Sequence, residues 1–269
     1  MEDNRILACV DQSQFADHVT DAAAWAALRT GAPLELLHII DRQEVPPAGE
    51  DHSGAIGIDA QEKLLDKLSA EDEQRTREAR ERGRQFLTRL RERAAAAGVG
   101  EVDIRQRHGD LEETLLEQEA DVRLIVLGRR GESAETTHRD LGRNVERVVR
   151  ALHRPILTVT EGFKEPKRVM FAFDGGAVTR RGVEVVAASP LFHGLPILLF
   201  MSGKAGSDGE RKLEAAREQL AAAGLDVEAE LQPGDAETVI AAKVRERDID
   251  LLIMGAFGHS VLRSLLFGS

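Results

Sequence analysis

Residues 249–269 read Ile-Asp-Leu-Leu-Ile-Met followed by Gly-Ala-Phe-Gly-His-Ser-Val-Leu-Arg-Ser-Leu-Leu-Phe-Gly-Ser. The apolar run 249–254 predicts a buried strand, and the pattern Gly-x2-Gly-x9-Gly-Ser begins directly after it at Gly255. Glycines let backbone N–H groups approach a ligand closely, and a Gly-Ser step that opens a helix offers unpaired N–H donors and a hydroxyl to an anion. The stretch therefore predicts a phosphate cradle. The spacing alone is weak evidence, so the interpretation depends on the strand before it and on the repeat described next.

The layout of this stretch occurs twice in the chain. A short apolar strand ends in an acid at Asp11 and again at Asp174, an offset of 163 residues (174 − 11). The glycine loop begins at Gly128 and again at Gly255, an offset of 127 residues (255 − 128). The halves therefore share a layout, and the first carries about 36 additional residues after its second strand. A repeat of this length indicates a duplicated domain rather than a solenoid.

Each half alternates buried strands with helices, which predicts an α/β fold with a parallel sheet covered on both faces. Strands are predicted at residues 6–10, 34–40, 102–107, 124–127 and 155–159, and again at 169–173, 197–201, 226–231 and 251–254. Helices are predicted at residues 17–30, 59–97, 111–119 and 144–152, and again at 178–188, 210–223 and 236–247. We predict two tandem domains, 1–162 with a long charged helical insertion at about 42–97, and 166–269, packed about a pseudo-twofold axis.

Two parts of this layout are unusual. The helix predicted at 59–97 has few apolar positions and a highly charged middle, so we expect part of it to protrude or to break. The second half has no segment to match the helix at 144–152 and the strand at 155–159. We therefore expect the last strand of the second sheet to be missing from the given chain, as in a chain truncated at its C-terminus.

Composition and charge exclude several classes of protein. The formal net charge of −11 disfavours nucleic-acid and anionic-membrane partners, although a nucleotide needs only a local field. No apolar run approaches the roughly 18 residues of a membrane helix. The single cysteine, Cys9, excludes an internal disulfide framework, and the acidic start at residues 1–4 is unlike a secretory signal. We expect a cytoplasmic protein with no nucleic-acid partner and no membrane insertion.

Four features now combine: the opening strands that end in Asp, the second strand at 36–40, the Gly-Asp steps at 109–110 and 234–235, and the pattern Gly-x2-Gly-x9-Gly-Ser after the fourth strand. Together they resemble the universal stress protein family in its tandem two-domain form, over nearly the whole chain. The resemblance implies five-stranded, Rossmann-like parallel sheets of the adenine-nucleotide alpha-hydrolase type. It also implies association of the units through their last strands, and adenine-nucleotide binding where the glycine motif is intact.

Carried over position by position, the resemblance implies a nucleotide site in the second half. Asp174 and the region of Ser202 would face adenine and ribose, and the closing glycines would contact ribose and phosphates. The implied nucleotide is ATP, or else ADP or AMP, and any Mg²⁺ would be bound through the phosphates. The implied site residues are Asp174, Gly175, Ser202, Met254, Gly255, Gly258, His259, Gly268 and Ser269.

The first half departs from the family pattern. Its third glycine, Gly142, comes one residue later than in the second half, and Arg143-Asn144 replaces the small hydroxyl of Gly-Ser. The Arg143 side chain could bind a phosphate through two hydrogen bonds, or it could fill the cradle. The corresponding site residues are Asp11, Gln12, Ile39, Gly128, Gly131, Gly142, Arg143 and Asn144.

Each candidate residue also has a purely structural interpretation. Asp11 and Asp174 stand where an acid can cap the following helix, with or without a ligand role. His38 lies in an apolar strand, which is typical of a core histidine rather than a metal ligand. No metal-ligand spacing is present, and His259 has no partner acid or base at a suitable spacing. We therefore assign no catalytic residue and no metal ligand.

Three functions remain open. The first is a regulatory stress-response protein that binds an adenine nucleotide without dedicated turnover. The second is a slow nucleotide hydrolase or phosphotransferase that uses His259. The third is a nucleotide-free scaffold that binds an unknown protein partner through the charged helix at 59–97. The tandem halves would form an intramolecular pseudo-dimer, and a homodimer of the whole chain is also open.

Overall fold

The computed structural model describes residues 5–40, 58–129, 143–204 and 206–255, and within these ranges the side chains of residues 58–73, 75, 143, 144, 146 and 207 lie outside the description. The described residues form two α/β units in chain order, one with a five-stranded sheet and one with a four-stranded sheet. Every pair of neighbouring strands is parallel. The predicted fold class, two tandem parallel-sheet units, is confirmed. The exact domain limits remain a prediction.

The described residues of the first unit form five strands and four α-helices. Its strands are β1 (Arg5–Cys9), β2 (Leu34–Ile40), β3 (Val102–His108), β4 (Val122–Gly128) and β5 (Ile156–Val159). Its helices are α1 (Ala16–Thr30), α2 (Ile58–Ala96), α3 (Leu111–Gln118) and α4 (Arg143–Ala151). The strands lie in the order β3-β2-β1-β4-β5, so the chain crosses to the other side of β1 between β3 and β4.

The second unit repeats this arrangement. Its strands are β6 (Val169–Ala172), β7 (Ile197–Ser202), β8 (Val227–Gln232) and β9 (Leu251–Ile253). Its helices are α5 (Ala177–Ala187), α6 (Ser207–Ala222) and α7 (Ala236–Glu246). The strands lie in the order β8-β7-β6-β9. A counterpart of β5 is not among the described residues of this unit, in agreement with the expected four strands.

The central strands are apolar because helices cover both faces of the sheet. Leu7, Leu36 and Leu37 are completely buried. Strand β2 also buries an acid, Glu35, which is 2% exposed. Arg5 Nε lies 3.0 Å and Arg105 Nε 3.2 Å from its carboxylate, and a buried carboxylate requires such pairing to offset the loss of hydration.

Helix α2 protrudes from the fold without a break. It is one continuous helix of 39 residues, about 58 Å long at 1.5 Å per residue, whereas a seven-residue strand such as β3 spans only about 23 Å. Among its described side chains, the core holds the last third of the helix through the buried Leu87, Leu90 and Ala94. Of the two outcomes expected for this charged helix, protrusion is the one observed.

The Gly-Asp steps of the sequence are helix caps. Asp110 Oδ1 accepts hydrogen bonds from the backbone N–H groups of Glu112 at 2.8 Å and Glu113 at 3.2 Å, which caps α3. Asp235 accepts a hydrogen bond from the N–H of Thr238 at 3.1 Å, which caps α7. The same motif therefore sets the start of the third helix in both units.

The two units contact each other through α1. Arg29, in its last turn, donates a hydrogen bond from Nε to the carbonyl oxygen of Leu191 at 2.6 Å and another from Nη2 to the carbonyl oxygen of His193. The centre of the Trp25 ring lies 6.2 Å from that of Phe163, which belongs to the linker at residues 163–165. Leu191 belongs to a 3₁₀ turn at Pro190–Phe192 that the sequence did not predict. Association through the last strands and the pseudo-twofold relation remain predictions.

No helix in the described part of the chain combines the length and apolar character needed to cross a membrane.

Candidate functional site

The candidate site lies at the carboxyl end of the second sheet. In the order β8-β7-β6-β9, the chain passes from β6 to β7 and β8 on one side and then crosses to β9 on the other side of β6. The carboxyl ends of β6 and β9 therefore flank the switch point, where parallel α/β sheets bind ligands. Phe171 of β6 pairs with Ile253 of β9, and the residues that follow these strands reach the same edge. Two of the predicted site residues, Asp174 and Gly255, therefore border one crevice.

Asp174 organises the turn that leads into α5. Its Oδ1 accepts hydrogen bonds from the backbone N–H of Gly176 at 2.7 Å and from the hydroxyl of Thr179 at 2.5 Å. Gly175, between strand and helix, has φ +72°, a left-handed conformation that favours glycine. The N-cap residue of α5 is Gly176, without a side-chain cap hydrogen bond, so Asp174 holds the turn before the helix and is not its N-cap. The same bonds hold its exposed carboxylate in one orientation at the crevice.

Thr179 connects Asp174 to Gly255. A Cβ built on Gly255 would lie 3.4 Å from Thr179 Cγ2 and 3.3 Å from Val178 Cγ1, so the chain leaving β9 passes directly over the first turn of α5. A side chain at position 255 would therefore press against Val178 and Thr179. Sequence analysis missed Thr179. The only available signal was its position, five residues after Asp174 in the first turn of a helix.

A lysine of α6 stands beside the same turn. A Cβ built on Gly175 would lie 3.0 Å from Lys212 Cδ, so this side chain packs over the glycine. Its ammonium group pairs with Asp208 at 2.6 Å, and that hydrogen bond lowers the pKa of Asp208. Lys212 lies 38 residues after Asp174 (212 − 174), and no local pattern pointed to it.

Ser202 ends β7 at the same edge of the sheet, but its hydroxyl bonds away from the crevice. It donates to the carbonyl oxygen of Gly234 at 2.9 Å and so ties β7 to the loop before α7. Because the hydroxyl proton is used in this bond, Ser202 offers a ligand only its oxygen, as an acceptor. Met254 follows β9 directly and is half-buried.

The first unit builds the corresponding turn differently. Asp11 Oδ1 accepts hydrogen bonds from the N–H of Ser13 at 3.3 Å and from its hydroxyl at 2.5 Å. Ser13 stands where the second unit has Gly176, and it is buried. Gln12 is exposed and Ile39 is half-buried. Gly128 pairs with Val159 at the end of β4.

His38 is a core residue, as its setting in an apolar strand predicted. Its side chain is 4% exposed, and Nδ1 donates a hydrogen bond to the carbonyl oxygen of Val10 at 3.0 Å. The ring packs edge-on against Phe86 at 5.5 Å between ring centres. Among the described residues, no group of three His, Cys, Asp or Glu side chains is arranged to hold a metal ion.

Several predicted site residues lie outside the described part of the chain. In the second half these are Gly258, His259, Gly268 and Ser269, and in the first half Gly131 and Gly142. Helix α4 begins at Arg143, but the side chains of Arg143 and Asn144 are outside the description as well. Their assignment to a site remains a prediction.

The chain is similar to known proteins along its whole length. It matches the Universal stress protein family over residues 4–160 and 195–269. Universal stress protein Slr1230 of Synechocystis sp. is 33% identical over 267 residues, covering 98% of this chain and 93% of that protein. A universal stress protein structure from Archaeoglobus fulgidus DSM 4304 has a TM-score of 0.70 at 17% identity, covering 100% of this chain and 96% of that one, which shows the shared fold. A universal stress protein from Archaeoglobus fulgidus, solved in complex with dAMP, is 17% identical, covers 59% of this chain and 99% of that one, and has a TM-score of 0.35.

Proposed function

The chain belongs to the universal stress protein family, and from this premise we propose that it is a regulatory stress-response protein whose second unit binds an adenine nucleotide. The proposed site is the crevice between the ends of β6 and β9. The nucleotide is ATP, ADP or AMP, and any Mg²⁺ is held by the phosphates rather than by side chains of the protein.

The arrangement of Asp174, Thr179 and Gly255 carries this proposal. The carboxylate is held by two hydrogen bonds, which removes the orientational entropy that a flexible acid would lose on binding a ribose hydroxyl. Carboxylate oxygens accept hydrogen bonds from the paired hydroxyls of a ribose. Gly255, which has no side chain, lets the chain leaving β9 lie against the first turn of α5, next to Thr179, the hydrogen-bond donor to that carboxylate.

The phosphates would lie toward the glycine loop. Backbone N–H groups of Gly255, Gly258, Gly268 and Ser269 are the proposed donors, since glycine lets the backbone approach an anion closely. Lys212, whose ammonium group is paired with Asp208, packs beside the turn at Gly175. A Cβ at Gly255 would already contact Val178 and Thr179, and this close fit supports glycine as the residue that the cradle requires.

We propose the second unit rather than the first because the glycine loops differ. The two acids do not discriminate between the units, since Asp11 and Asp174 are each held by one backbone N–H and one hydroxyl. The loop after β4 carries Arg143-Asn144 in place of the Gly-Ser of the second half.

Thermal denaturation with and without nucleotide tests this proposal on the full chain. A ligand present at 100 times its Kd adds about 2.7 kcal/mol to the free energy of unfolding, which corresponds to roughly 5–10 °C for a protein of this size. We expect this shift with millimolar ATP, ADP or AMP, its loss in Asp174→Ala and Gly255→Leu, and its retention in the matched variant Asp11→Ala. Loss of the shift in Asp11→Ala alone would move the site to the first unit. No shift with any of the three nucleotides would refute the proposal.

The other functions have less support. A hydrolase or phosphotransferase depends on His259, which lies outside the described residues. A scaffold that acts through α2 is favoured only by the protrusion of that helix. Cytoplasmic location, a protein partner and a homodimer stay predictions.

A further inference from the structure

Strand β3 forms one edge of the first sheet. In the order β3-β2-β1-β4-β5 it is the outermost described strand on its side. Its seven residues pair one-to-one with β2 without a bulge, and they include no proline. Proteins keep an exposed edge from pairing with another chain by prolines, by bulges or by charges. Since β3 has neither a proline nor a bulge, its charges decide what can pair with it.

The backbone groups that face the open side of β3 follow from its bonds to β2. The N–H of Leu34 donates to the carbonyl oxygen of Glu101 at 3.1 Å, and the N–H of Gly109 donates to that of Ile40 at 3.3 Å. Residues along a parallel strand alternate in the direction of these groups, so the odd-numbered positions of β3 bond to β2. The even-numbered positions 102, 104, 106 and 108 therefore turn their N–H and C=O groups to the open side.

The charges along β3 change sign at the centre of the strand. Residues 101–107 read Glu-Val-Asp-Ile-Arg-Gln-Arg, with two acids before Ile104 and two arginines after it. Arg105 donates a hydrogen bond to Gln118 of α3 at 3.2 Å, so the four charged side chains, at alternate positions, lie on the α3 face. Both acids are exposed, and neither forms an ion pair with a described residue. The strand is therefore complementary in charge to a copy of itself that runs in the opposite direction.

The two arginines retain capacity for a second carboxylate. Arg105 and Arg5 share the single carboxylate of Glu35, which leaves this group with an excess charge of +1 (2 − 1). Arg107 pairs with Glu117, whose side chain is 68% exposed, and an exposed pair of this kind contributes little to stability. A guanidinium group has five N–H donors, and the bonds within the chain use only some of them.

From this geometry we propose that β3 is a dimerisation edge, at which a second copy of this chain pairs antiparallel about Ile104. Ile104 lies opposite Ile104 of the second copy, and Val102 lies opposite Gln106. These are the positions whose backbone groups face the open side, so each facing pair exchanges two hydrogen bonds. The first sheets of the two copies become one sheet of ten strands (5 + 5).

This register places opposite charges together throughout the contact. Glu101 lies opposite Arg107 of the second copy, and Asp103 lies opposite Arg105. They occupy the non-hydrogen-bonded positions, where facing side chains are closest and opposite charges stabilise the pair. The smallest slip that keeps the backbone bonds is two residues. It sets either the two Arg105 residues or the two Asp103 residues opposite each other, and like charges there are destabilising.

The corresponding edge of the second unit does not have this complementarity. Strand β8 is the outermost described strand of its sheet, but residues 226–230 read Asp-Val-Glu-Ala-Glu. Pairing of β8 with its own copy would set acids opposite acids. One self-complementary edge in each chain gives a closed dimer with a twofold axis. This edge lies in the other unit from the nucleotide crevice, so the inference goes beyond the proposed function and does not depend on it.

Sedimentation velocity of the full chain at increasing concentration tests the proposal. We expect a monomer–dimer equilibrium, with dimer present at roughly 100 µM chain. Glu101→Arg and Arg107→Glu each set like charges opposite at two symmetric places, so each should weaken the dimer at least about tenfold. The double variant restores opposite charges with their positions exchanged and should recover the wild-type affinity. Asp226→Arg, the matched control beside β8, should leave the affinity unchanged.

Disulfide cross-linking tests the register. In a Cys9→Ser background, Ile104→Cys places two thiols at the twofold axis, where facing Cα atoms are about 5.5 Å apart, within the reach of a disulfide. An added oxidant should therefore join two chains through position 104. Val102→Cys, on the same face of the strand, lies four residues, about 13 Å along the strand, from its copy and should not cross-link.

Three results would overturn the proposal. The first is a chain that remains monomeric over the whole concentration range. The second is a dimer that neither single charge variant weakens and that does not cross-link at position 104, because it would use another surface, such as the β5 edge. The third is growth into larger oligomers, because β3 would then pair with a different edge of the next chain and the assembly would not close.

Discussion

Replacing Arg29 by alanine should weaken the contact between the two units. The guanidinium donates one hydrogen bond to the carbonyl oxygen of Leu191 at 2.6 Å and a second to that of His193. It also lies 6.0 Å from the centre of the Trp25 ring. Trp25 in turn contacts Phe163 of the linker. Arg29 and Trp25, both in α1, therefore connect this helix to the linker and to the 3₁₀ turn at Pro190–Phe192.

The expected loss follows from these contacts. A half-buried hydrogen bond from a charged donor contributes about 1.5 kcal/mol, the exposed second bond about 0.5 kcal/mol, and the cation–π contact about 0.5 kcal/mol. Arg29→Ala should therefore lower the free energy of unfolding by about 2–3 kcal/mol, which is roughly 4–10 °C in the melting temperature.

Differential scanning calorimetry of the full chain measures this effect. Arg29→Lys keeps the charge but loses the planar pair of donors, so it should restore less than half of the stability. Lys164→Ala, at an exposed position in the linker, should melt with the wild type. If Arg29→Ala melted within about 1 °C of the wild type, the reasoning that this residue joins the units would be wrong.

Two further substitutions test the first unit. Asp110→Ala removes the cap of α3 and should destabilise the protein by about 1–2 kcal/mol at pH 7, measured by urea unfolding. Burial opposes ionisation of Asp110, but the N–H of Glu113, the charge of Arg147 and the N–H of Glu112 outweigh it and lower the pKa of this carboxyl. Because the folded pKa is below the unfolded one, the ionised carboxylate stabilises the fold above about pH 4 and this contribution is lost as the pH falls through the folded pKa. The stability difference between wild type and Asp110→Asn should therefore shrink on acidification, and a difference that stays constant down to about pH 2 would contradict this. Leu90→Ala, at a position that is 0% exposed, should cost about 2–5 kcal/mol. The same change at Leu116, which is 44% exposed, should cost less than about 1 kcal/mol, and equal losses at both positions would show that α2 is not anchored through Leu90.

The strands were predictable because buried parallel strands are apolar on both faces. The run at 34–40 predicted β2 with the observed limits, and the predicted strand at 251–254 differs from β9 by one residue. The 3₁₀ turn at Pro190–Phe192 was not predictable, because its stability comes from burial of Leu191 and Phe192, partly against α1 of the other unit. The course of helix α2 could not be predicted from its sequence. Its charged middle is compatible with a solvated helix, with a broken helix and with a helix that binds a protein partner.

For the candidate site, sequence patterns were sufficient to identify the residues that follow β6 and β9. Asp174 and Gly255 follow apolar runs, and the order of runs and helices predicts that both reach the carboxyl edge of one parallel sheet. These patterns are local, because a strand buried on both faces appears in the sequence as a short continuous apolar run. How these residues are held, and what surrounds them, depends on tertiary packing. The bond from Thr179 to Asp174, the packing of Lys212 over Gly175 and the bond from Ser202 to Gly234 join residues whose separation along the chain carries no signal. Side-chain contacts of this kind depend on how helices pack against the sheet, which hydrophobic periodicity does not specify.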